Sequence, residues 1–390
     1  VRQSWKPATL NAARGNPRRV ADRATAVSAG GTACIHRLLA SLKISHSHDP
    51  ADTIPMSKPT VLTGITTTGT PHLGNYVGAI KPCVEASHDE EVNSYYFLAD
   101  YHALVKNRDP ERVQQSTLEI AATWLALGLD TERAVFYRQS DVPEIPELTW
   151  ILTWSTAKGL MNRAHAYKAA VQENVDAGED PDYAITMGLF SYPVLMAADI
   201  LMFNATHVPV GKDQVQHLEM ARDIAQRFNH HYGDLFRLPE AVTEDHVAVL
   251  PGKDGRKMSK SYNNTIPLWL PEKQLRKAIM RIVTNSLEPG EPKDPEDSAL
   301  FSIYATFANA DQRAEMQKAY REGIAWGQAK QQTFELINDE LIQARERYEA
   351  LIAEPGHIEL ALQEGAEKAR AFATPFLARI REAIGIRRLG

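Results

Sequence analysis

The sequence predicts an α/β protein: a parallel sheet with helices on both faces, followed by an all-helical region. Two observations carry that expectation. Between residues 58 and 250, short apolar or aromatic runs alternate with stretches whose apolar residues recur every three or four positions. Parallel strands joined by helical crossovers produce such a pattern. After about residue 270 only the helical period remains.

The elements follow in order. Thr60–Ile65 reads as a short buried strand, followed by a loop of threonines and Gly69, with a helix starting near Gly74. Ser94–Ala99 is a second strand by its aromatic content. Asp109-Pro110 opens a helix well, with Asp as N-cap and Pro at the first helical position. Along that helix Val113, Thr117, Ile120, Trp124 and Leu127 share one face, and Gly128 ends it. A third strand is expected at Ala134–Arg138, a helix from about Ile145, and a fourth strand at His207–Val210. Asp213 to about Phe228 is a helix with Val215, Leu218, Ala221, Ala225 and Phe228 on one side. This is a Rossmann-type core. Farther on, Phe334, Ile337, Leu341, Ala344, Tyr348 and Leu351 form a packing stripe, Glu354-Pro355-Gly356 breaks it, and Pro375 interrupts the last helical stretch. The expected domains are 58–270, catalytic, with a basic loop at 252–261, and 271–390, helical.

Composition narrows the function classes. The 390 residues are 44% hydrophobic and 24% charged, an ordinary balance for a chain of two domains. No apolar run approaches the ~20 residues needed to cross a bilayer. Cys34 and Cys83 stand far apart, in no metal-ligand spacing, so neither a zinc site nor a disulfide framework is expected. Residues 1–55 carry eight Lys/Arg against three Asp/Glu, and the rest 35 against 46, so the stated net charge of −6 hides a basic leader on an acidic body. Residues 1–57 are set aside as a disordered or artefactual extension, since Met56 is the first methionine. Three readings of the segment stand side by side: a start placed too far upstream, a disordered basic extension, and an organelle transit peptide.

Two motifs carry chemistry. Pro71-His72-Leu73-Gly74-Asn75 lies between the first strand and the first helix, where nucleotide phosphates meet a doubly wound sheet. Gly74 permits close approach to the backbone, and His72 and Asn75 offer donors; the plainer alternative is an ordinary turn. Lys257-Met258-Ser259-Lys260-Ser261 sits in a loop bounded by Gly252 and Gly255. Its lysines can neutralise a departing pyrophosphate; the plainer alternative is a solvated basic loop.

Together these strings, 185 residues apart from His72 to Lys257, resemble the paired HIGH and KMSKS signatures of class I aminoacyl-tRNA synthetases. Asn75 in place of the second histidine is usual in the tryptophan and tyrosine branch. The resemblance implies that His72, Gly74 and Asn75 stabilise ATP and that Lys257 and Lys260 stabilise its pyrophosphate; His72, Lys257 and Lys260 are the catalytic set it suggests. Thr66, Thr68, Gly211 and Lys212 complete the implied ATP contacts, together with Asp213 near the ribose. For Asp213 taken alone, simple stabilisation of a helix start is the stronger alternative.

On a helix, Tyr192, Met196 and Asp199 share one face, an apolar wall carrying one carboxylate. Such a wall suits an aromatic ligand with a single N–H donor: Asp199 accepts from an indole nitrogen, and Met196 lies against the ring. Alternatively Asp199 is a surface or capping residue and its two neighbours are core. This segment looks like the tryptophanyl-tRNA synthetase pocket, where tyrosine enzymes tend to place Gln at the position of Met196. By the same resemblance Gly64 and His102 border the indole and Gln214 approaches the substrate amine, although His102 also suits a satisfied core position.

Some positions depart from the commonest pattern. Thr66-Thr67-Thr68-Gly69 replaces Gln-Pro-Ser-Gly, Tyr262 replaces a frequent Asp, and residues 165–188 are longer, which leaves Lys168 as a doubtful phosphate contact. The resemblance implies a tryptophan–tRNA ligase acting on L-tryptophan, ATP and tRNA(Trp). Mg²⁺ would be held mainly by the ATP phosphates, the helical region would read the anticodon, and the enzyme would be a cytoplasmic homodimer. Rival expectations are a tyrosine–tRNA ligase, an adenylyltransferase acting on a small metabolite, and a non-catalytic binder of tRNA or tryptophan.

Overall fold

The computed structural model describes residues 58–67, 69–211, 214–242 and 250–389. The reading of residues 1–57 and the expectations for Thr68, Lys212 and Asp213 lie outside the described residues.

Strand β1 is Thr60–Thr66. Helix α1 follows in three pieces: Leu73–Asn75, a π-helical turn Tyr76–Ile80, and Lys81–Ser87. Then come β2 (Asn93–Ala99), the short α2 (Asp100–Ala103) and α3 (Pro110–Ala126). The Asp109 side chain caps α3 by accepting from the amides of Glu111 and Arg112. Strand β3 is Val135–Arg138, and α4 is Glu144–Ser155. Helices α5 (Lys158–Met161) and α6 (His165–Asp176) fill the segment before α7, Met187–Met202. Strand β4 is His207–Pro209, α8 is Val215–Tyr232, and β5 is Glu240–Val242. Helices α9 (Glu272–Met280), α10 (Ala299–Phe307), α11 (Ala310–Arg321), α12 (Trp326–Ala353) and α13 (Gly356–Ala383) complete the chain.

The five strands are all parallel, in the order β3-β2-β1-β4-β5. The chain steps outward from β1 to β3 and then returns to the other side of β1 at β4. The two halves therefore diverge between β1 and β4, and ligands bind such sheets at the carboxyl ends of the strands beside this point. One face of the sheet packs against α4, α7 and α8, whose buried residues include Ile145, Leu148, Ala198, Leu201, Leu218 and Phe228. The other face packs against α1 and α3 through Ile80, Val84, Ile120 and Trp124.

Two features lay outside the sequence reading, and one expectation needs correction. The sequence reading contained no fifth strand; β5 has three residues and follows Pro239, too short to display an alternation. Helices α5 and α6 also carried no expectation, and α6 buries none of its residues, so it lacks the stripe that would have revealed it. Pro375 does not interrupt α13 but lies within it. Pro375 and Ala371 both face outward, so the carbonyl that Pro375 leaves unbonded is exposed to water.

Helix α13 also does something that periodicity does not reveal. It runs along the edge strand β3, sending Ile358 and Leu362 into the core on one side of the sheet and Ala369, Ala373 and Phe376 into the core on the other. An uncovered parallel edge would expose a row of unpaired backbone groups, and this helix covers it. Arg138 at the end of β3 pairs with Glu359 of α13 at 3.0 Å, and Glu144 of α4 takes Arg370 at 3.2 Å.

A separate apolar core joins the helical region to the start of α1. Leu73, Tyr76 and Met258 are buried with Leu275, Phe301, Ile337 and Leu341. The Tyr76 hydroxyl and the Lys81 ammonium both donate to Glu340 of α12 at 2.7 Å.

Candidate active site at the carboxyl edge of the sheet

Two groups of side chains collect where β1, β2, β3 and β4 end. The first centres on Asp199 of α7, whose side chain is 1% exposed. His102, in α2 directly after β2, donates Nε2–H to Asp199 Oδ2 at 2.8 Å. Gln139, directly after β3, donates Nε2–H to Oδ1 at 2.7 Å and accepts the Tyr101 amide at 3.2 Å. Burial pushes the Asp199 carboxyl above the ordinary carboxylate range, and the bonds from His102 and Gln139 pull against that shift. Each carboxylate oxygen keeps a second lone pair, so Asp199 can take one further donor.

Tyr192 and Met196, half-buried on the same helix, share its face with this carboxylate. The Tyr192 hydroxyl is 2.7 Å from His217 Nε2, and His217 Nδ1 is 2.9 Å from Gln214 Oε1. An amide oxygen only accepts, so Nδ1 carries the proton and Nε2 accepts from the tyrosine hydroxyl. The edge of the His102 ring meets Tyr192 at 6.3 Å, which brings the two polar chains together. Gly64, in the central strand, is exposed, and a Cβ there would fall 2.4 Å from the Phe97 ring, so only glycine fits this floor.

The second group surrounds the turn after β1. His72 caps α1: its Nδ1 accepts the Asn75 amide at 3.3 Å, and Asn75 Oδ1 accepts the His72 amide at 3.1 Å. That reciprocal box fixes the ring tautomer and leaves Nε2–H as the free donor. Burial, with Lys260 nearby, lowers the His72 pKa to about 4, so the ring is neutral at pH 7 and presents a hydrogen bond without a charge. A Cβ on Gly74 would come within 3.1 Å of this ring.

The basic loop is a tight hairpin. The Met258 amide bonds to the Leu250 carbonyl at 2.9 Å, and Gly255 turns the chain with φ +80°. Asn264 braces it, donating to Asp254 at 2.7 Å and to the Lys257 carbonyl at 3.0 Å while accepting the Ser259 amide at 2.8 Å. The bond from Asn264, with help from Arg256, holds the Asp254 carboxyl down at about 2. Just beyond, the Leu73 amide bonds to Ile266 O at 3.0 Å and the Leu268 amide to Pro71 O at 3.1 Å. The turn after β1 is thus stitched, backbone to backbone, to the segment that follows the basic hairpin.

The residues expected from sequence divide accordingly. His102, Tyr192, Met196, Asp199 and Gln214 come together, with Gly64 in the strand floor. His72, Gly74 and Asn75 form the capped turn, and Lys260 reaches it, its Nζ falling 2.9 Å from the position a Cβ on Gly69 would take. Lys257 is exposed on the hairpin. Thr66 ends β1 exposed, and Gly211 is exposed after β4, its carbonyl accepting the Gln214 amide at 2.9 Å. A cleft of about 1000 Å³ lies elsewhere, between the start of α3 and the start of α13, and none of these residues lines it. Its Arg138 is paired with Asp141 and Glu359, whereas the carboxyl edge offers Asp199 and neutral His72, so the chemistry belongs to the edge.

Residues 56–341 match the family described as tRNA synthetases class I (W and Y). The chain belongs to this family. The class I synthetase is similar to the tryptophan–tRNA ligase of Pseudomonas aeruginosa, 67% identical over 84% of this chain and 74% of that protein. It is 59% identical to the tryptophan–tRNA ligase of Neisseria meningitidis, over 86% of this chain and all of that protein. Among solved structures it resembles tryptophanyl-tRNA synthetase from Campylobacter jejuni complexed with ADP and tryptophan. That match has 45% identity and a TM-score of 0.76, over 84% of this chain and 99% of that chain.

For this class I synthetase the sequence reading gave no role to Gln139 or His217, although both make direct bonds at the site. Gln139 had a usable signal, since it is the first residue past β3 at the carboxyl edge, as Asp100 is past β2. His217 had none, because one histidine on the inner face of α8 reads as core.

Proposed function

We infer that this chain is a tryptophan–tRNA ligase, which joins L-tryptophan to ATP as tryptophanyl-adenylate and then loads tRNA(Trp). The observation that carries the reading is the buried carboxylate of Asp199 on one helix face with Met196. The carboxylate can accept one indole N–H, and the thioether offers a phenol hydroxyl only a weak acceptor. The ligases from P. aeruginosa and N. meningitidis support the same substrate.

Activation needs no protein nucleophile; positioning and charge stabilisation suffice. Neutral His72 donates Nε2–H to an ATP phosphate oxygen, Gly74 and Asn75 shape the turn beneath it, and Lys257 and Lys260 meet the pyrophosphate. Thr66, Thr68, Gly211, Lys212 and Asp213 complete the ATP contacts. Gln214 faces the tryptophan amine, while His102 and Tyr192 hold the sides of the ring above Gly64. Mg²⁺ travels with ATP, and among the described residues no group of three His, Cys, Asp or Glu could hold a metal ion independently. The helical region 271–390 reads the anticodon, with α13 within it also bracing the sheet. We place the enzyme in the cytoplasm.

The test is amino-acid-dependent ATP–pyrophosphate exchange with tryptophan, tyrosine and phenylalanine in parallel. Exchange with tryptophan alone is expected. Exchange with tyrosine instead would keep the fold and overturn the pocket assignment.

A homodimer completes the proposal. Trp150 and Trp154, one turn apart on α4, are 71% and 54% exposed. Two exposed tryptophans on one helix face suit burial against a second copy. Sedimentation velocity should give a dimer for the wild type and a monomer for Trp150→Asp with Trp154→Asp. A wild-type monomer at micromolar concentration would overturn it.

A further inference from the structure

Arg112, on the first turn of α3, lies outside both signature motifs, yet it points at the signature turn. A Cβ built on Gly69 would lie 3.2 Å from Arg112 Nη2 and 2.9 Å from Lys260 Nζ. Two cationic heads, from segments far apart in sequence, therefore converge on the loop that joins β1 to His72. Gly69 has φ +146°, a conformation that favours glycine, and its missing side chain is what keeps the gap open.

Like charges held this close repel, and among the described residues neither head forms a salt bridge. Glu119 offsets part of the repulsion from two turns farther along α3. One of its oxygens accepts from Gln115 at 3.1 Å, and the other is buried without a hydrogen-bond partner. An arrangement of two unpaired cations around an open gap is completed by a polyanion entering it.

We propose that Arg112 is a further cationic contact for the departing pyrophosphate, beyond Lys257 and Lys260, acting beside Lys260 across Gly69. The assignment rests on the ligase reading above. In the activation step a tryptophan carboxylate oxygen bonds to the α-phosphorus and the bond from that phosphorus to its bridging oxygen breaks. The electron pair leaves on pyrophosphate, whose negative charge rises. The flat guanidinium fork of Arg112 can take two phosphate oxygens while Lys260 supplies a point charge.

The test compares Arg112→Ala, Arg112→Lys and, as a control, Arg108→Ala, which alters an exposed cation just before the helix on the wall of the separate cleft. In ATP–pyrophosphate exchange, Arg112→Ala should raise KM for both ATP and pyrophosphate by about tenfold, the range for losing a charge-assisted bond. KM for tryptophan and the melting midpoint should stay at wild-type values, which a merely structural role would not allow. Arg112→Lys should recover part of the loss, and Arg108→Ala should match wild type. Unchanged KM values for ATP and pyrophosphate in Arg112→Ala, or a parallel rise for tryptophan, would overturn the assignment. Equilibrium dialysis with ATP alone separates the two levels of inference. A wild type that binds ATP without tryptophan-dependent exchange overturns the ligase reading. An Arg112→Ala protein that binds ATP as tightly as wild type overturns the role of Arg112.

Discussion

Replacing Asp199 with asparagine is expected to lower kcat/KM for tryptophan by about a hundredfold while leaving KM for ATP close to wild type. The carboxylate receives Nε2–H of His102 on one oxygen and Nε2–H of Gln139 on the other. An amide keeps the shape but turns one acceptor into a donor, so an N–H faces one of those two N–H groups in a water-poor site. One bond becomes a repulsion, and the ring or the amide must swing away. The third donor, the indole, then meets a disordered acceptor. Asp199→Ala is a poorer probe, because it leaves two orphaned donors and a cavity and so mixes lost binding with lost stability. The measurement is exchange kinetics with each substrate varied in turn, beside a thermal melt. A wild-type KM and kcat for tryptophan in Asp199→Asn would show that the carboxylate does not hold the indole.

The largest stability effect is expected at Gly365, where α13 crosses β3. A Cβ there would fall 1.7 Å from the Phe136 carbonyl oxygen and 2.5 Å from its carbon. Both are backbone atoms inside a paired strand, so neither can move aside as a flexible side chain would. Gly365→Ala must lift α13 off the sheet edge, loosening the buried contacts of Ala366, Ala369 and Phe376 together. Overpacking of this kind costs about 3 kcal/mol or more, a fall in the melting midpoint of roughly 5–10 °C. Gly327→Ala, on the first turn of α12, is the matched control: a Cβ there meets nothing within 4 Å, so that change should be neutral or slightly stabilising. Equal melting curves for the two variants would mean that α13 does not press on β3 as described.

These predictions draw on different kinds of information. The fold class and the borders of most elements were legible in the sequence, because they depend on neighbours in the chain. The Asp109-Pro110 start matches the observed cap of α3, and the face of α8 from Leu218 to Phe228 and the Phe334–Leu341 stripe of α12 match the buried positions. The signature turn is equally local, since His72 and Asn75 satisfy each other three residues apart. The common face of Tyr192, Met196 and Asp199 followed from helix geometry alone.

What the sequence determined by itself, then, was the periodic structure, the signature segments and the class of chemistry they imply. The tertiary structure decided who meets whom. His102 comes from the connection after β2, and Gln139 and Asp199 come from opposite ends of the long connection between β3 and β4; the order β3-β2-β1-β4-β5 brings them to one edge. Arg112 and Lys260 meet only across Gly69, and His217 reaches Tyr192 because α8 packs against α7. No local pattern records these pairings. Periodicity reports which side of an element is buried, whereas a site depends on which other element does the burying. For the same reason the three-residue β5 and the close passage of Gly365 over Phe136 were invisible in the sequence: each exists only through a neighbour supplied by the assembled sheet.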